Sequence, residues 1–300
     1  MTPLGVYLRG VLMGAADIVP GVSGGTMAFI TGIYDRLLAS IRSFDLRCLR
    51  LLWQRRFRDA WRHVDGGFLL ALVLGIFTSI LSLARLLSWL LAEYPVPLWA
   101  FFFGLILASA LVLLRQVPHW TPPRAVCLLV GLLLAAGIAL SPVVAMAPGL
   151  PGIFVAGFIA ICAMILPGIS GSFILILLGM YGPVLGAVKN LQLDVMAVFA
   201  LGAGLGLMCF SRLLHWLLQR FHVATMALLT GFLFGSLLVV WPWKHALDWV
   251  LGSDGELRPA QQVPVWPWQF AAEPQLPLCV ALMVTGFVLV WLVERRWGGG

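Results

Sequence analysis

Apolar residues run through this chain in long stretches rather than in the short periodic stripes of a water-soluble fold. Stretches 66–92, 98–114, 125–147, 195–218, 223–241 and 276–293 are long enough to cross a bilayer, for which about 18 apolar residues suffice. Strands alternating polar and apolar residues are absent, so an outer-membrane barrel is not expected. The pattern predicts an all-α polytopic membrane protein. One polar segment has its own period. Leu46, Leu49, Trp53, Phe57, Trp61 and Val64 fall on one helical stripe of 44–64, with arginines elsewhere. That spacing predicts an amphipathic helix lying on an anionic membrane surface.

Part of the pattern occurs twice. Residues 18–34 read IVPGVSGGTMAFITGIY and 165–181 read ILPGISGSFILILLGMY. ARLLSWLL (84–91) likewise matches SRLLHWLL (211–218), which pairs Arg85 with Arg212 and Gly104 with Gly231. The second half lacks about twenty residues, and the arginine-rich segment accounts for them. The expected organisation is a first repeat over 1–124, a connecting span over 125–147, a second repeat over 148–242, and an outer loop with a final span over 243–300. Gly14, Ala15 and Ala16 imitate a signal-peptide cleavage site, but the following segment recurs later, which assigns it to the mature fold.

Composition agrees with the pattern. Apolar residues make up 61% of 300 and charged residues 10%, against about 25% charged in soluble domains. Mean hydropathy is +1.01. The net charge of +7 matters through its placement. Arg42, Arg47, Arg50, Arg55, Arg56, Arg58 and Arg62 share one connecting segment, which marks the cytoplasmic side. Arginines confined to one loop do not point to nucleic acid. Counting crossings from that loop puts both termini inside and the acidic loop 243–273 outside. The two repeats then enter from opposite faces, the inverted-topology plan of secondary transporters. The five scattered cysteines suggest neither a disulfide framework nor zinc, and no motif calls for a cofactor. No oligomeric state is legible.

Both repeated segments break a helix inside an apolar hairpin. The arm before the first break, about residues 3–16, would be only ~21 Å long at 1.5 Å per residue. A hydrocarbon core is ~30 Å thick, so re-entrant hairpins are favoured over two full crossings. Non-helical backbone at that depth must be buried in protein or line a cavity. The helices restarting after Gly24 and Gly171 would expose amide N–H groups and a positive dipole end, a site for phosphate. Ser23, Gly24, Gly25 and Thr26 in the first break, with Ser170, Gly171 and Ser172 in the second, are the candidate ligands. A tight helix contact needing small residues is the other reading.

Three further features carry chemistry. The serines fit a nucleophile-elbow pattern and His215 lies in a span, which raises an intramembrane serine hydrolase. The histidine's counterpart is Ser88, however, so the repeated serine reads as architecture. Asp17 has Met164 in its corresponding place. It is a candidate for proton or cation coupling, or for capping nearby amides. Arg85 and Arg212 lie near opposite faces, where they suit either phosphate capture or interfacial anchoring.

On GAADIVPGVSGGTMAFITGIYDRL (14–37), FFFGLILAS (101–109) and ILPGISGSFILILLGMYGPVL (165–185), the chain resembles the bacterial polyprenyl-phosphate transporter family. The resemblance covers nearly the whole chain. It implies movement of undecaprenyl phosphate from the outer to the inner leaflet of the cytoplasmic membrane, recycling the carrier for envelope synthesis. The residues alone reach an anion-binding transporter, with a small-anion channel or carrier as the alternative.

Overall fold

The computed structural model describes residues 1–17, 23–144, 146–147, 149–251 and 257–297. The first half contains α1 (Pro3–Asp17), α2 (Gly24–Ile30), α3 (Tyr34–Arg42), α4 (Leu46–Trp53), α5 (Phe57–His63), α6 (Gly66–Glu93), α7 (Pro95–Gln116) and α8 (Pro122–Leu140). The second contains α9 (Leu150–Ile165), α10 (Gly171–Leu177), α11 (Tyr181–Lys189), α12 (Leu193–Arg220), α13 (His222–Ser236) and α14 (Leu276–Trp297). Five helices, α6, α7, α8, α12 and α14, contain windows long and apolar enough to span a bilayer. A sixth span results if α10 and α11, bent by 111° at their junction, count as one.

The fold is mostly helical rather than wholly so. Strands β1 (Lys244–Leu251) and β2 (Leu257–Pro264) form an antiparallel hairpin in the loop before α14. Turn-forming residue types, Gly252, Ser253, Asp254 and Gly255, separate two runs too polar to span. Two expected spans are also shorter. Stretch 125–147 stops being helical at Leu140, because Pro142 holds Ser141 extended (ψ 139°). Stretch 223–241 ends its helix at Ser236. There Leu238 and Val239 donate to carbonyls three residues back, a tightened final turn. Pro242 follows closely.

The expected amphipathic helix over 44–64 is two helices. Asp45 caps α4 by accepting the Cys48 N–H at 2.9 Å, and Arg55 takes a left-handed conformation (φ 56°). The chain therefore reverses before α5. Leu46, Leu49, Trp53, Phe57 and Trp61 nevertheless remain exposed, while Val64 is buried. The apolar stripe survives the bend.

Four helix crossings hold the body together: α1 along α6, α9 along α12, α7 along α14 and α8 along α13. Each is a close approach of backbones at reciprocal glycines. A Cβ on Gly104 would strike the Met283 carbonyl, and one on Gly286 the Phe101 carbonyl. Gly131 and Gly231 do the same for α8 and α13, Gly10 and Gly75 for α1 and α6, and Gly157 and Gly202 for α9 and α12. Lipid gives little hydrophobic drive for helices to pair, so small residues that allow close packing decide where they cross. Helices α7 and α13 lie at the centre, with Ile106, Leu113, Leu229 and Leu233 fully buried. Helices α8, α12 and α14 turn most of their apolar surface outward.

Candidate functional site at the two helix breaks

The two breaks meet. Ser23 ends the first break in an extended conformation (φ −120°, ψ 134°), and its hydroxyl donates to the Met164 carbonyl at 2.9 Å. The same oxygen accepts the Gly25 N–H at 3.1 Å. From the second break, the Gly168 N–H donates to the Thr26 hydroxyl at 3.0 Å. Tyr34 closes the seam, its hydroxyl donating to the Ile165 carbonyl at 2.9 Å. Each bond satisfies backbone that the end of a helix leaves without a partner. Gly25 must be small here, since a Cβ would lie 2.7 Å from the Ile165 carbonyl oxygen. Gly168 turns the second break with φ 88°, which a side chain would strain.

Burial separates the candidate ligands. Ser23 and Thr26 are 1% and 0% exposed, so both hydroxyls are committed to the seam. The first helix restart is not open, contrary to the expectation of free amides there. Asp17 accepts the Gly24 N–H through Oδ1 at 2.7 Å, and Ser23 accepts the next amide. A carboxylate of the chain itself thus occupies the start of α2, which is the capping role. The second restart differs. Ser170 makes no side-chain cap to α10, and its hydroxyl pairs with that of Ser172 at 2.8 Å. The position of Asp17 is taken there by Met164, and among the described residues no carboxylate is bonded to that end.

Asp17 also lines a cavity of about 150 Å³ with Met13, Gly25, Tyr34, Met164 and Ile165. Arg85 and Arg212 do not line it. Both are exposed on long helices, and Arg212 Nη2 donates to the Phe44 carbonyl at 3.4 Å. The Ser23 hydroxyl donates to a carbonyl rather than to a histidine, and that of Ser170 pairs with Ser172.

Arg9 is the residue that sequence reasoning missed. It is 6% exposed. Its Nε donates to the Thr31 carbonyl at 3.1 Å and its Nη1 to the Gly5 carbonyl at 3.0 Å. The guanidinium thus fastens the end of α2 to α1, a favourable place for a cation. A lone arginine within the apolar arm 3–16 was the available signal, since ionisable groups at membrane depth are expensive.

A family profile described as undecaprenyl phosphate translocase-like matches residues 13–258. A polyprenyl-phosphate transporter of Vibrio cholerae is 47% identical over 299 residues, covering 98% of this chain and 97% of the relative. A polyprenyl-phosphate transporter of Staphylococcus aureus is 31% identical over 256 residues, 78% of this chain and 85% of the relative. No solved structure matches.

Proposed function

The chain belongs to the undecaprenyl phosphate translocase-like family, and on that premise we propose that it moves undecaprenyl phosphate from the outer to the inner leaflet of the cytoplasmic membrane. The lipid would thereby return to envelope synthesis. The observation that carries this reading is the seam. Two helix breaks bond to one another through Ser23, Thr26 and Tyr34 beside a cavity, which supports a route through protein rather than lipid. A bare charge in lipid is too costly, since even a side chain costs ~2.5–3.5 kcal/mol on insertion scales.

In this reading the phosphate engages the uncapped second restart at Ser170, Gly171 and Ser172. Asp17 must release Gly24, and Ser23 must release Gly25, before the first restart can receive it. Asp17 is thus the candidate for carrying a proton or cation with the anion, and Arg85 and Arg212 act at the surfaces as collectors. The isoprenyl chain stays in the bilayer.

We also propose that 1–124 and 148–242 are inverted repeats with re-entrant hairpins. The helix bounds support this: Gly24–Ile30 and Tyr34–Arg42 reappear as Gly171–Leu177 and Tyr181–Lys189, each 147 residues on. The paired crossings support it too, α1 with α6 answering α9 with α12. The arginine segment lies in the cytoplasm, with both termini. A cysteine placed at the exposed Gln269 should react with an impermeant maleimide on intact cells, and one at Gln54 should not. The opposite labelling pattern would invert this topology.

The substrate is tested by photolabelling. A polyprenyl phosphate carrying a benzophenone near its phosphate should cross-link to the cavity lining, at Met13 or Met164. Unlabelled polyprenyl phosphate should compete and chloride should not. Equal competition by small anions would favour the channel or small-anion carrier instead.

A further inference from the structure

The arginine-rich insertion contains a concavity that the proposed transport path does not use. In the second half only residues 190–192 join α11 to α12, so the helical body closes without any counterpart of α4 and α5. The insertion has its own internal order. His63 Nε2 lies 3.1 Å from Asp45 Oδ1, which ties the end of α5 to the start of α4. At the bend, the Arg56 N–H donates to the Leu51 carbonyl at 2.9 Å.

Residues three or four apart share a helix face. Arg47 and Arg50 therefore face one way from α4, and Arg56 and Arg62 line the same space from the bend and α5. They surround a cavity of about 680 Å³, with Gln54 and His63 also in its wall. Asp59 is the one carboxylate among its lining residues, and it is taken by Arg56 at 2.8 Å. Beside this cationic hollow, Leu46 and Trp53 are 83% and 87% exposed. Guanidinium groups pair phosphate oxygens bidentately. Exposed Leu and Trp beside cations belong at the boundary between headgroups and acyl chains.

We propose that the α4–α5 hairpin is a binding site for a phosphate monoester carried on a lipid, separate from the seam between the breaks. Charge selects the monoester. A monoester near neutral pH carries about −1.5 to −2, which suits several guanidiniums better than the single charge of a phosphodiester headgroup. The exposed apolar rim selects a lipid over a soluble anion, because it would bury against the acyl chain.

Binding is read directly, so the test stands apart from transport. Calorimetry would use the full chain in detergent with dihexanoyl phosphatidic acid, dihexanoyl phosphatidylglycerol or inorganic phosphate. Phosphatidic acid should bind most tightly, and Arg47→Gln with Arg50→Gln should weaken it by about tenfold or more, the scale of charge-assisted hydrogen bonds. Arg55→Gln with Arg58→Gln removes the same charge outside the cavity and should change the affinity by less than about twofold. Asp59→Asn, which frees Arg56, should tighten binding. Equal losses in the two double variants would reduce the effect to net charge and overturn the site. Inorganic phosphate binding as tightly as phosphatidic acid would overturn the lipid assignment, and phosphatidylglycerol doing so would overturn the monoester.

Discussion

Replacing Ser23 by alanine and Thr26 by valine together should lower the melting temperature of the purified protein by about 5–10 °C, several kcal/mol at the scaling of large domains. Three buried groups lose their partners: the Gly25 N–H, the Met164 carbonyl and the Gly168 N–H. An unsatisfied buried group costs about 1–3 kcal/mol. Valine adds a methyl where the Gly168 N–H now approaches to 3.0 Å, so the second break must also shift. Ser170→Ala provides the contrast. Its hydroxyl bonds only to Ser172 among the side chains described, so that variant should melt within about 2 °C of the wild type. Its loss should instead appear in polyprenyl phosphate binding. Thermal unfolding in detergent decides the matter. A double variant as stable as the wild type, or a Ser170 variant equally destabilised, would mean that the seam does not hold the breaks together.

That asymmetry was hidden in the sequence, where the two segments look equivalent. The repeat itself was legible, because shared Pro, Gly, Ser and Tyr at constant spacing fix where helices break and restart. Helix α10 begins at Gly171 as α2 begins at Gly24. Gly104 and Gly231, paired in the sequence, each prove to be a crossing point. What stayed illegible depends on contacts across the chain. Ser23 and Met164 are 141 residues apart, and nothing local says that one hydroxyl will answer the other's carbonyl. Asp17 was legible as an ionisable group at depth and as a candidate cap of nearby amides, but the sequence did not choose between coupling and capping. Arg9 was overlooked because one arginine in fifteen residues does not disturb an apolar average. The split of 44–64 escaped notice for a different reason. Both short helices keep the same apolar stripe, so periodicity alone cannot register a reversal at Arg55. The β-hairpin was obscured because neither of its strands alternates apolar and polar residues.

We propose that a polyprenyl phosphate crosses the membrane through this protein at the seam between its breaks. The direct test is leaflet exchange in liposomes. Purified protein should make undecaprenyl phosphate equilibrate between leaflets faster than in protein-free vesicles, and the Ser23, Thr26 double variant should lose the gain. Asp17→Asn should flatten the pH dependence of the rate, because the carboxylate that caps Gly24 could no longer exchange a proton. Vesicles in which the wild type leaves undecaprenyl phosphate on its original leaflet, yet passes chloride or phosphate, would contradict the account and identify a small-anion pathway in its place.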